Sequence, residues 1–118
     1  MHFIEQKESN KCLAACICSF FQQLNIDSFP DYLSSSNWWR CVSDYVLSTT
    51  GYGMMQITMP ENEYPLGHYI VVGKSQVIPD GDHAVIYKKG SMVFDPSTHK
   101  KGIKGTPKYY IIFYRVFY

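Results

Sequence analysis

The sequence predicts an α+β protein in which helices precede a mostly antiparallel sheet. Helix-like segments occupy about 9–50, and short strand-like runs separated by Pro, Gly and Asp fill about 54–118. Beyond Gly67 the connections between these runs are too short for the crossover helices that parallel strands need. Such a separation of helices from strands is typical of α+β domains.

The first predicted helix covers Ser9–Leu24, which has no Gly or Pro and is almost continuously apolar after Cys12. A strand would be too short to hold this run, and Ser9 or Asn10 provides an N-cap. We therefore expect a helix that is buried on nearly all sides, with Cys12 in its first turn.

The second predicted helix begins after Asn37 and ends at Gly51, with apolar residues recurring at three- and four-residue spacing. The segment between the helices, 29–36, is expected to be a loop without a chemical role. Five strands follow in the second half of the chain. They are expected at Met54–Met59, His68–Val72, His83–Tyr87, Met92–Asp95 and Tyr109–Phe117.

Composition and charge indicate one folded domain, 1–118, and exclude several classes of partner. The chain is 46% hydrophobic and 16% aromatic, far from the composition of disordered proteins. Its formal net charge of +1 lacks the basic excess of nucleic-acid binders, and no segment approaches the ~18 apolar residues of a membrane span. We expect neither nucleic acid nor membrane as a partner.

The N-terminus has no signal-peptide pattern and the four cysteines are expected to be reduced, so we expect a cytoplasmic protein.

A hairpin in the second half predicts a paired histidine and carboxylate. Two strand-like runs flank Lys88-Lys89-Gly90, which we interpret as a three-residue loop. Tyr87 then faces Ser91, and His83 directly faces Asp95 across the strands. A loop one residue longer would put His83 and Asp95 on opposite faces of the sheet. A carboxylate that holds a histidine fixes its tautomer, as a general base requires.

Cys12 is the candidate nucleophile for this base. A thiol at a helix N-terminus lies at the positive end of the helix dipole, which is expected to lower its pKa. Gln6 lies six residues upstream, and its amide with the Cys12 N–H would supply two donors for an oxyanion. The candidate catalytic set is therefore Gln6, Cys12, His83 and Asp95.

The order of these four residues, with the Cys opening an apolar helix, resembles papain-like cysteine peptidases. The segments YIVVGKS (69–75), HAVIY (83–87) and VFDPS (93–97) are closer still to small bacterial and phage proteins of the C39-like peptidase type. The resemblance implies a papain-like fold with a central N-terminal helix packed on the sheet. It also implies a cysteine peptidase in a bacterial cell or, for a phage protein, in its host's cytoplasm. Cys12 would be its nucleophile, His83 its base, Asp95 the residue that orients His83, and Gln6 part of the oxyanion hole.

Other interpretations remain open at this point. The same residues serve deamidases, isopeptidases and acyl transferases, and a non-catalytic binding protein could keep the fold. We expect a protein or peptide substrate, with either a shallow cleft or a cleft that a partner protein completes. His68 is a competing base. No metal or cofactor is expected, because the cysteines, His68 and His99 show neither CxxC nor HxxxH spacing.

Overall fold

The computed structural model describes residues 1–6, 8, 11–32 and 36–116 and has an α+β fold. Two helices, α1 (Cys12–Phe20) and α2 (Trp38–Thr50), precede one antiparallel sheet with the strand order β1-β5-β2-β3-β4. The expected fold class is confirmed at this level. The strands are β1 (Tyr52–Ile57), β2 (His68–Ser75), β3 (Asp82–Lys88), β4 (Ser91–Phe94) and β5 (Ile103–Arg115).

Helix α1 is buried along almost its whole length, as expected, but it is shorter than the apolar pattern suggested. It begins at Cys12 and ends at Phe20, and its N-cap position is Lys11, which makes no side-chain capping hydrogen bond, so the expected N-cap at Ser9 or Asn10 is wrong. Ser9 and Asn10 themselves lie outside the described residues. Phe21 is already extended, and its ring packs against Tyr52 and Phe113. Tertiary packing of this ring, which a helical pattern does not reveal, ends the helix before Leu24.

Helix α2 has the expected bounds. It starts after Asn37 and ends at Gly51, which adopts the left-handed conformation and donates its N–H to the Leu47 carbonyl at 2.9 Å. Between the helices lies a short 3-10 turn, Ile26–Ser28. None of the helices in the described part of the chain has the length and apolar character needed to cross a membrane.

All five expected strands exist, and β5 differs most from expectation. It begins at Ile103, six residues before the expected Tyr109, while the expected end at Phe117 lies outside the described residues. Val72 of β2 pairs with Tyr109, but Lys74 pairs with Lys104, so β5 carries extra residues between these pairs. Gly105, which is left-handed, and Pro107 lie in this bulge. Gly and Pro are rare inside strands, so the sequence pattern does not indicate a strand at this position.

The β3–β4 hairpin does not have the predicted register. Lys88 pairs with Ser91, so the loop is the two residues Lys89 and Gly90, both left-handed, as a type I′ turn requires. The predicted pairs Tyr87 with Ser91 and His83 with Asp95 are therefore wrong. This shorter loop alone would place His83 and Asp95 on opposite faces.

A bulge in β4 returns His83 and Asp95 to the same face of the sheet. Tyr87 pairs with Met92 but Ile86 pairs with Phe94, so Val93 is an extra residue on β4. Continuing this register would place Asp95 opposite Val85, diagonal to His83 and on the same face. The two deviations from the predicted hairpin cancel, so the histidine and the carboxylate meet although they are not direct cross-strand partners.

Gly73 is the cross-strand partner of His83, and we predict that a side chain at this position destabilises the sheet. A Cβ on Gly73 would lie 2.7 Å from Cδ1 and 3.0 Å from Cβ of Ile103. Because the Ile103 Cβ is fixed to the backbone, Gly73→Ala should lower the free energy of unfolding by about 1–3 kcal/mol, measured by urea denaturation. In Ile103→Ala protein the same substitution should cost less. An equal cost in both backgrounds would show that this contact is not the cause.

Candidate active site

His83 and Asp95 form a buried pair. Nε2 of His83 lies 2.8 Å from Oδ1 of Asp95, and the side chains are 6% and 1% exposed. The hydrogen bond engages Nε2 and leaves Nδ1 as the ring nitrogen that can exchange a proton with another group. The predicted contact between these two residues is therefore present, by a different register from the one expected.

Asp95 accepts further hydrogen bonds from the turn that follows it. The Ser97 N–H and hydroxyl donate to Oδ1 at 2.9 and 2.7 Å, and the Gly102 N–H donates to Oδ2 at 2.8 Å. Burial raises the pKa of Asp95, but the hydrogen bonds from Ser97, His83 and Gly102 outweigh it and hold this pKa below its ordinary value of 3.8. The carboxylate is thus charged at neutral pH and fixed in orientation.

Cys12 opens α1 beside the residue that follows His83. The backbone N–H groups of Ala84, Leu13 and Cys12 itself favour the charged form of its thiol and so act to lower its pKa. One turn further along α1, the Cys16 thiol donates to the Ala84 carbonyl at 3.4 Å. Because β4 ends opposite Ile86, the Cys16 thiol reaches the β3 backbone beyond the end of β4. The start of α1 is thereby fixed next to His83.

The electrostatics of Cys12 differ from the expectation. Burial raises the pKa of its thiol, the three backbone N–H groups oppose the rise, and the Asp95 charge adds to it. The expected lowering of this pKa by the helix dipole is therefore not found in the resting protein. Cys12 is a protonated thiol at rest, surrounded by donors that would stabilise a negative sulfur when it forms.

Cys12 and His83 line a common cavity of about 400 Å³. Most of its wall is apolar or aromatic, and Asp82 on its rim is paired with Lys108 at 2.5 Å. Sequence inspection assigned no function to the other wall residues, and it treated the loop that holds Tyr32 as inert. These residues are Leu13, Tyr32, Trp38, Val72, Ile78, Gly81, Ala84 and Tyr109.

Gln6 is tied to the Asp95 turn through its backbone, and its side-chain amide makes a local hydrogen bond. Its backbone N–H donates to the Pro96 carbonyl at 2.9 Å. Its side-chain amide donates to the Glu8 carbonyl at 2.9 Å, and its Oε1 is buried without a hydrogen-bond partner. Gln6 is not among the described residues that line the cavity. The structure thus pairs His83 with Asp95 and places Cys12 on the same cavity as His83. Within the described residues no hydrogen bond joins the Cys12 thiol to the His83 ring in the resting protein. The oxyanion role of Gln6 stays a prediction.

The competing base, His68, lies at the other end of the sheet. It pairs with Lys88, five residues along β3 from His83, which corresponds to about 17 Å of extended strand.

All four cysteines are free thiols, as expected, and Cys16 and Cys18 are buried. The anchoring of Asp95 by Ser97 was also missed, although an Asp two residues before a serine N–H is a recognisable Asx-turn pattern.

Comparisons with known proteins supply no relative. No family model matches the chain, and neither the curated proteins nor the solved structures include a match. The geometry of the site is therefore the basis for inferring a function.

Proposed function

We propose that this protein is a thiol hydrolase, most simply a cysteine peptidase of papain-like type, with Cys12, His83 and Asp95 as its catalytic residues. The observation that carries the proposal is the buried 2.8 Å pair of His83 and Asp95 beside Cys12 at the start of α1. The order of these residues along the chain and an N-terminal helix packed on an antiparallel sheet support the papain-like assignment. Free thiols support a reducing, cytoplasmic setting.

The raised pKa of Cys12 determines how the nucleophile is activated. A thiolate is not preformed, so the sulfur loses its proton to Nδ1 of His83 as it attacks a carbonyl carbon. Asp95 stabilises the resulting imidazolium through Nε2. The imidazolium returns its proton to the leaving amine, which leaves a thioester on Cys12. Water attacks this thioester while His83 takes the proton of the water. The imidazolium then returns this proton to the Cys12 sulfur as the C–S bond breaks, which releases the carboxylic acid and regenerates the thiol.

The cavity indicates what kind of acyl group would be accepted. Its aromatic wall includes Tyr32, Trp38 and Tyr109, and Tyr32 is only 5% exposed. Such a wall favours an apolar side chain or acyl chain next to the reacting carbonyl and keeps water away from it. A protein or peptide with an apolar residue at this position is the substrate we propose.

We predict that an apolar nitrophenyl ester, such as p-nitrophenyl butyrate, acylates Cys12 in the native protein. Cys41 is an internal comparison, because it is also a half-buried thiol but lies on α2. General-base assistance is worth about 10²–10⁴-fold, so Cys12 should be acylated at least about 10² times faster than Cys41, as measured by acid quench and peptide mass mapping.

Turnover separates the proposed enzyme from a binding protein of the same fold. Release of nitrophenol beyond one equivalent, lost in Cys12→Ala, would indicate that the thioester is hydrolysed. Transfer of the acyl group to added glycinamide in preference to water would identify an acyl transferase. Equal acylation of Cys12 and Cys41 would contradict the proposal.

A further inference from the structure

A second histidine lies beside the pair of His83 and Asp95. His99 lies in the turn after Asp95, and its ring centroid is 5.2 Å from that of His83, with the planes tilted by 48°. One ligand atom from each of His83, Asp95 and His99 lies within 4.8 Å of the other two. His83 and Asp95 are buried and His99 is half-buried, so the group is reached from one side.

This set has the chemistry of a site for a borderline divalent metal ion. Two imidazoles and one carboxylate suit Zn²⁺, whereas Ca²⁺ and Mg²⁺ prefer oxygen ligands alone. Ligand atoms at about 2.1 Å from a tetrahedral zinc lie about 3.4 Å from one another. The His83 and Asp95 atoms are 2.8 Å apart and would separate by about 0.6 Å, while a movement of up to about 1.4 Å by the half-buried His99 would close the site.

The surroundings of Asp95 prepare it to be a metal ligand. Ser97 and Gly102 fix both of its oxygens by hydrogen bonds, and such contacts orient the carboxylates that bind metals. Zinc binding would alter two hydrogen bonds of the site. The metal would replace the His83 to Asp95 bond, and His99 would give up the 3.0 Å bond that its Nδ1 accepts from the Lys101 N–H, or turn its ring.

We propose that Zn²⁺ binds to His83, Asp95 and His99 and that the bound ion blocks the thiol chemistry of Cys12. The bound ion occupies Nε2 of His83 and separates this ring from the carboxylate that orients it. The proposed zinc binding depends on the three ligands alone, and only the proposed inhibition of Cys12 rests on the proposed function. Sequence inspection missed the site because the spacing of its histidines and carboxylate matches no short metal motif.

Binding is tested in Cys12→Ser protein, so that the thiol next to His83 cannot hold the metal. Titration with ZnCl₂ by calorimetry should give one site per chain, and Co²⁺ should bind with an absorption spectrum that lacks a thiolate band. His99→Ala, or His99→Gln if the alanine variant does not fold, should weaken zinc binding by about tenfold or more. Excess Ca²⁺ or Mg²⁺ should not compete.

Inhibition is tested in protein with an intact Cys12. Zinc should slow the acylation of Cys12 by the nitrophenyl ester, and His99→Ala should need about tenfold more zinc for the same fractional slowing relative to its own zinc-free rate. If Cys12 is never acylated, the proposed function fails while the binding titration still decides the metal site. Loss of zinc binding in Cys12→Ser with full binding in His99→Ala would overturn the site, and acceleration by zinc would overturn the inhibition.

Discussion

His83→Ala is expected to slow the acylation of Cys12 by about 10²–10⁴-fold without unfolding the protein. Burial raises the pKa of the Cys12 thiol, so almost none of it is ionised at neutral pH, and attack requires a base within reach. His83 borders the same cavity and is held by Asp95 through Nε2. The rate of Cys12 acylation by a nitrophenyl ester, followed by mass mapping, measures the loss.

His68→Ala is the matched control for this prediction. It removes a histidine from the same sheet, opposite Lys88 and far from Cys12, and should leave the acylation rate unchanged. A wild-type rate in His83→Ala would remove His83 from the mechanism.

The sequence anticipates those parts of the fold that depend on local signals. Helix α2 could be predicted at both ends, because its amphipathic spacing and Gly51 are local features. Helix α1 could be predicted as a buried helix with Cys12 in its first turn, but neither of its ends could be. Its C-terminal end depends on where the Phe21 ring packs against Phe113 of β5, which is a contact between segments distant in sequence.

In the candidate site, too, the features that depend on contacts between distant segments could not be predicted from local sequence signals. The pairing of His83 with Asp95 was anticipated through an incorrect register. A left-handed Lys89 is uncommon for a non-glycine residue, and the extra residue Val93 has no local sequence signature. The direction of the Cys12 pKa shift was not anticipated, because it depends on burial by the whole fold.

Substitution of Asp95 is expected to have the largest effect on stability among the candidate site residues. Asp95→Ala would leave four buried donors without their acceptor, from His83, Ser97 (two) and Gly102. Removal of one partner from such a buried, charge-assisted set costs about 3–5 kcal/mol of unfolding free energy. Asp82→Asn is the matched control on β3, and it should cost less than about 1 kcal/mol because the Asp82–Lys108 pair is half-exposed.

Asp95→Asn should separate the role of the carboxylate in stability from its role in orienting His83. An amide fills the same space, so this variant should lose less unfolding free energy than Asp95→Ala. It presents an N–H where a carboxylate oxygen accepts a bond, so the tautomer of His83 is no longer fixed. Acylation of Cys12 should fall by about 10²–10⁴-fold in the folded variant.

The pH dependence of stability provides an independent check on Asp95. Because the folded pKa of Asp95 lies below its ordinary value of 3.8, the charged carboxylate stabilises the folded state above that pH. This contribution is lost as the pH falls from about 3.8 through the folded pKa. The difference in unfolding free energy between wild type and Asp95→Asn, measured by urea denaturation, should therefore be constant near neutral pH and shrink below about pH 4. A difference that stays constant into strong acid would mean that the folded protein does not stabilise the charged form of Asp95, and the carboxylate would then be unable to hold His83 in the manner proposed.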